Sequence, residues 1–231
     1  MPVLHGSAER RGHKEARLDD FKLLNPVLVC RWRLATGRLP LKSRHLRALG
    51  DRFVDGAHLS KALLGWVSQH LEWSLEEGSR IYHDGVLMLV VDDQGCAAMS
   101  AGPYKALDNR SANGLLMRAM DARREAEHTG VAPEELWVVE DDVLTCARFG
   151  SASGCASLVG DLARTFGFEV REDEKMLTRL AHEGFAPGLE VFLASDEHGV
   201  VVAGDRGGDM AESFEGCYVT LVNKERSRKR R

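Results

Sequence analysis

Apolar and polar residues alternate early in the chain. Val27-Leu28-Val29-Cys30-Arg31-Trp32-Arg33-Leu34 is followed by Thr36-Gly37-Arg38 and then by Leu39-Pro40-Leu41. Two short apolar runs on either side of a glycine predict a pair of strands joined by a tight turn. Beyond them the period lengthens. Residues 42–46 open a helix with Ser43 as its N-cap, and Leu59, Leu63, Val67 and Leu71 recur every fourth residue in a longer helix that stops near Gly78. Apolar residues at that spacing form one stripe of a helix, so both helices are expected to lie on one face of a sheet.

The second half alternates strands and helices. Residues 86–91 are six consecutive apolar side chains between Asp84-Gly85 and Asp92-Asp93, the pattern of a strand covered on both faces. Residues 111–129 carry Leu115, Leu116, Ala119, Met120, Ala122 and Ala126 between charges and stop at Gly130, a helix with a glycine terminator. Strands are predicted at 136–139, 143–146, 168–170, 190–194 and 200–202, and helices at 155–166, closed by Gly167, and 174–183. The sum is a mixed α/β chain of two lobes, 23–98 and 99–223, divided near residues 95–102. Residues 1–22 read as a loosely ordered lead-in, and 224–231, with six of eight residues basic, as a disordered tail.

Composition narrows the classes of function. The 231 residues are 44% hydrophobic and 29% charged, as in folded globular domains. With 31 basic and 35 acidic side chains the formal net charge is −4, which argues against a surface built to neutralise nucleic-acid phosphates. No run reaches the roughly 18 apolar residues of a membrane span. Cys30, Cys96, Cys146, Cys155 and Cys217 are odd in number and widely spaced, which fits neither a zinc site nor a disulfide framework and points to the reducing cytoplasm.

Two segments could carry chemistry. Lys105 stands in a loop between a predicted strand and a helix. As an amine nucleophile it would need partial burial to shed its proton near neutral pH, and otherwise it is a solvated surface lysine. Gly150-Ser151-Ala152-Ser153-Gly154-Cys155-Ala156-Ser157 precedes the helix at 155–166. Small residues there leave amides uncovered at the positive end of the helix dipole, a place for a phosphate, or simply for Ser153 or Ser157 as an N-cap. It matches neither a Walker loop nor a dinucleotide fingerprint. His45 reads as a structural contact of its helix.

Taken in order, these segments resemble the class IV pyridoxal-phosphate enzymes, the group of branched-chain and D-amino-acid aminotransferases and aminodeoxychorismate lyase, from about Val27 to Gly204. The residues carrying the resemblance are Trp32-Arg33-Leu34 through Leu41, leading into His45-Leu46-Arg47-Ala48-Leu49; Lys105-Ala106-Leu107-Asp108-Asn109; Leu144-Thr145-Cys146; Gly154-Cys155-Ala156-Ser157; residues 162–172; and Glu190-Val191-Phe192-Leu193-Ala194-Ser195. The resemblance implies a two-lobed fold and a Schiff-base lysine at Lys105 next to Asn109. It also implies a cofactor phosphate held by Gly154, Cys155, Ala156 and Ser195. The signature arginine falls on Ala48, leaving Arg47 or Arg52 to replace it; Glu140 is the nearest candidate to pair with the pyridine nitrogen; and Asp196 sets a carboxylate beside the phosphate position. The implied function is transamination, or lyase-type elimination, on an amino-acid substrate by a homodimer. The alternative is a relative that kept the fold without the cofactor and acts as a binding protein.

Overall fold

The computed structural model describes residues 25–78 and 81–228. The expectation for residues 1–22 lies outside these. The first sheet is β1 (Pro26–Arg33), β4 (Val86–Asp92) and β5 (Ala97–Gly102), antiparallel in the order β1-β4-β5. Strand alternation sends Leu28, Cys30 and Trp32 to one face, where they meet Leu87 and Leu89 of β4. Helix α2 (Lys61–Gly78) lays Val67, Leu71 and Leu75 over that face, as its four-residue apolar spacing requires. Helix α1 (Lys42–Gly50) adds Leu49 to the same core. Between the helices, β2 (Phe53–Val54) and β3 (Ala57–His58) form a small hairpin.

Four local expectations differ from the structure. β1 pairs with β4, not with residues 39–41: the turn at Thr36-Gly37, both at positive φ, closes a single bridge between Ala35 and Arg38. Pro40 has no amide to continue a ladder, and Leu41, itself left-handed, stands as the N-cap of α1 with no side-chain bond, so Ser43 is not the cap. β4 is fully covered on one face only, because Met88 and Val90 on the other remain half-buried. β5 belongs to the first sheet, so the change of sheet falls after Gly102.

The larger sheet runs β10-β9-β6-β7-β8, from β6 (Glu134–Glu140), β7 (Val143–Cys146), β8 (Glu169–Glu172), β9 (Glu190–Ser195) and β10 (Gly199–Val202). β6 and β7 are a hairpin closed by Asp141-Asp142, and β8 lies parallel to β7 at the edge, with Glu169, Arg171 and Glu172 exposed. Helices cover both faces, which is why the central strands are nearly continuous apolar runs. α3 (Ala112–Thr129) and α5 (Met176–Glu183) pack on Leu136, Val138, Val191 and Leu193. α4 (Gly154–Phe166) and α6 (Asp209–Arg228) pack on Trp137, Val139, Phe192 and Ala194. The ends of α3 and α4 follow the sequence closely: Ser111 and Ser153 cap their first turns, and Gly130 and Gly167 end them in the left-handed conformation.

α6 is an element the sequence pattern did not announce. It carries the chain through Arg228, so residues 224–228, expected as disordered, are helical, while 229–231 lie outside the described residues. Its Ala211, Phe214 and Tyr218 enter the core, and the Phe214 ring stacks 5.2 Å from Phe192 and sits between Phe166 and Phe168. No described helix is long and apolar enough to cross a membrane.

Removing the Phe214 ring leaves a cavity against three aromatic neighbours that cannot all move in. Phe214→Ala is expected to lower unfolding stability by about 3–5 kcal/mol, measured by urea denaturation, with α6 the first helix to lose amide protection from hydrogen exchange.

Candidate functional site

The two lobes meet where the end of β1, the start of α1, the start of α4 and the β9–β10 turn converge. Arg33 donates its backbone N–H to the carbonyl of Asp196 at 3.0 Å, and the amide of Asp196 donates to the carbonyl of Pro133 at 3.1 Å. This fixes the turn after β9 against both lobes. The Asp196 side chain then points at the first turn of α4, where Oδ1 accepts the Cys155 N–H at 2.8 Å. The next free amide, that of Ala156, donates to the capping hydroxyl of Ser153 at 3.2 Å.

His45 completes this contact from α1. It is 3% exposed, lies 5.4 Å from the Trp32 ring in a stacked arrangement, and places Nδ1 3.5 Å from Asp196 Oδ2. Despite that proximity Nδ1 has no hydrogen-bond partner. The ring lies so close over the helix start that a Cβ at Gly154 would fall 2.3 Å from Nδ1, so only glycine fits. Burial alone would push the Asp196 carboxyl up, but the His45 ring, the Cys155 amide and the more distant Arg52 guanidinium together hold it below the usual carboxylate range.

Beside this contact a cleft of about 190 Å³ opens between the lobes, with Val29 and Arg31 of β1 on one wall and Arg118 and Glu125 of α3, Glu134 and Glu197 on the others. Its polar groups are largely satisfied by one another. Glu134 Oε1 accepts from Arg118 at 2.7 Å and from the Ser195 hydroxyl at 2.9 Å, and Arg52 reaches Glu125 and Thr129 at 3.5 and 3.4 Å. His198 receives Arg118 on Nε2 and lies beside Tyr104, whose ring carries the Arg33 guanidinium 3.5 Å from its centroid. Burial, with Arg118 and Arg33 adding to it, lowers His198 to about 4, so the ring is neutral at pH 7. Burial also pushes the Glu125 and Glu197 carboxyls up.

The expected cofactor residues are not assembled. Lys105 is 81% exposed and pairs with Asp108 at 2.9 Å, not half-buried among apolar groups. Asn109 turns its side chain back onto the α3 cap, accepting from the amide and hydroxyl of Ser111 and packing on Gly114. Arg47 is exposed on α1, while Arg52 is buried and engaged with Glu125 and Thr129. Glu140 ends β6 exposed, and the alternation that sends Trp137 and Val139 to the α4 face places it on the α3 and α5 side. Gly154, Cys155, Ala156 and Ser195 do come together, but Asp196 lies among them where a phosphate was expected. These residues do not fit pyridoxal phosphate: the amine faces solvent and the helix start is filled by the protein's own side chains. The buried thiols offer no alternative nucleophile, since burial raises Cys30 to about 11, Cys146 to about 12 and Cys155 well above its ordinary value. Among the described residues no cluster of His, Cys, Asp and Glu could hold a metal ion.

Sequence reasoning missed Glu134, Arg118, His198 and Tyr104. Nothing in their spacing links them, because they come from α3, β6, the β9–β10 turn and the loop after β5. The signals that did exist were Asp196 directly after an apolar strand and Gly154 opposite a helical histidine.

A group whose folded pKa is depressed adds stability that is complete above its unfolded value, about 3.9 for Asp, and is lost as pH falls through the folded value. Asp196→Asn is therefore expected to unfold about 1–3 kcal/mol more easily than the parent at pH 5. In thermal melts that gap should close progressively below about pH 4. A gap unchanged down to pH 2 would contradict the assignment.

No family model and no curated protein matches the sequence. Solved structures do. A hypothetical aminotransferase from Mycobacterium tuberculosis in its PLP-bound form superposes with a TM-score of 0.53 at 12% identity, over 87% of this chain and 90% of that one. Two proteins provisionally named 4-amino-4-deoxychorismate lyase are also similar. One gives a TM-score of 0.46 at 17% identity over 93% and 98% of the chains, and the other, from Legionella pneumophila, gives 0.48 at 14% over 85% and 90%. At such identity the likeness to the M. tuberculosis protein speaks to architecture alone, and the chain is a two-lobed α/β protein with the class IV aminotransferase-like fold.

Proposed function

We propose that this protein is a cofactor-free member of its fold class that works as a binding protein, taking a small polar molecule in the cleft between the lobes. The observation that carries the proposal is the placement of Lys105. Its ammonium lies in solvent beside Asp108, while the helix start that would hold a phosphate is closed by His45 and Asp196. The cleft suits recognition because guanidinium and carboxylate groups on opposing walls can each exchange an internal partner for a ligand group, and Val29, Ala122 and Pro133 supply an apolar floor. Its volume limits the ligand to a small molecule. We place the protein in the cytoplasm, as a homodimer, in keeping with the resemblance and the unpaired cysteines.

A second reading is pyridoxal-phosphate-dependent transamination or elimination on an amino-acid substrate through Lys105. It draws support from the Lys105 to Asn109 spacing and from the PLP-bound form of the M. tuberculosis neighbour. The two separate on one experiment. The purified full chain is expected to be colourless and, in equilibrium dialysis against pyridoxal phosphate, to retain no more of it than Lys105→Ala does. Stoichiometric uptake with a visible absorption band, lost in Lys105→Ala, would favour the enzyme.

A further inference from the structure

The α4 start is built for an anion. The helix dipole points there, the Cys155 amide is met by the Asp196 carboxylate and the Ala156 amide by the Ser153 hydroxyl, Arg44 donates to Ser157 in the first turn at 3.1 Å, and Arg52 adds a buried positive charge nearby. A second observation, independent of the helix, points the same way. His45 is almost wholly buried and aims an Nδ1 without a hydrogen-bond partner at Gly154. A buried polar atom left unmatched is costly, so it marks a place where a larger or better placed partner would be welcome. The acceptor present is the 4% exposed carboxylate of Asp196, which takes the Cys155 N–H well but stops 3.5 Å short of His45.

We propose that the Asp196 carboxylate is a built-in substitute for a bound oxyanion, so that the α4 start is occupied by the chain itself and becomes a site for a small tetrahedral anion when that side chain is shortened. The carboxylate has acceptor sites to spare, but on its short stem Oδ1 seats on the Cys155 amide while Oδ2 stays 3.5 Å from His45. A phosphate has more oxygens and more charge, and would reach both the Cys155 amide and His45. While Asp196 is in place, a phosphate entering the same space would face a buried like charge, and it is excluded. The inference rests on the cofactor-free reading only in sharing the His45–Asp196 contact. Inorganic phosphate has no aldehyde and probes the site without involving Lys105, so uptake of pyridoxal phosphate at Lys105 alone would defeat that reading and leave this one standing.

The test follows the Cys155 amide resonance of the ¹⁵N-labelled full chain during titration with inorganic phosphate. The parent protein is expected to show no saturable shift, and Asp196→Asn, which keeps the volume, to show none either. Asp196→Ser should show a saturating shift, with its midpoint at least about tenfold below the highest phosphate concentration at which the parent's resonance stays unmoved. A saturating shift in the parent would overturn the proposal, as would a folded Asp196→Ser that ignores phosphate. Should Asp196→Ser fail to fold alone, refolding in added phosphate is the readout: rescue supports the proposal and absence of rescue counts against it.

Discussion

One buried carboxylate holds the organisation of this molecule together. Asp196 stands at the end of the central sheet's second strand, and its backbone and side chain bind β1, the loop before β6 and the first turn of α4, with the α1 histidine alongside. Each of these elements could satisfy its polar groups with water if the lobes were apart. Brought together, they exclude water, and the carboxylate becomes the acceptor on which the α4 amide depends. The lobes are therefore docked through a polar contact sealed by the Trp32 ring, in addition to the packing of α1 on α4.

The same contact decides the chemistry. A helix start rich in small residues can serve a ligand or serve the fold, and its amides cannot do both at once. Here they serve the fold. The fold class thus survives with different contents at its centre: a histidine and an aspartate between the lobes, and beside them a cleft whose ionic groups neutralise each other. The lysine of the loop after β5 is left outside. Its neighbour Tyr104 is drawn inward by Arg33 and His198, and the loop turns Lys105 the other way.

What could be read in advance was what local physics determines. Ser153, one of two candidate caps, and the Gly130 and Gly167 terminators set the ends of α3 and α4 to within a residue, and the apolar runs at 136–139 and 190–194 marked β6 and β9, whereas the run at 86–91, expected to be covered on both faces, belongs to a sheet covered on one. The hairpin at 39–41 failed because strand propensity says nothing about which partner is available. α6 escaped notice because Ala211, Phe214 and Tyr218 are spread among acidic and basic residues, so its apolar stripe is thin and gains meaning only against Phe192. At the site, spacing says nothing of which way a side chain turns. Whether Lys105 faces inward depends on ring and guanidinium contacts between residues some seventy positions apart in the chain, and whether Asp196 repels a phosphate or replaces it depends on where His45 comes to rest.

The open margin of the larger sheet has a consequence for self-association. β8 offers its unpaired side to solvent with Glu169, Arg171 and Glu172 in four residues, Arg171 clasping Glu169 at 2.7 Å. A second copy laying a strand along that margin would have to strip hydration from two carboxylates and a guanidinium for a few backbone bonds. Pairing of a second copy's strand along β8 is thereby discouraged, even though the central strands of the same sheet are among the most apolar segments of the chain.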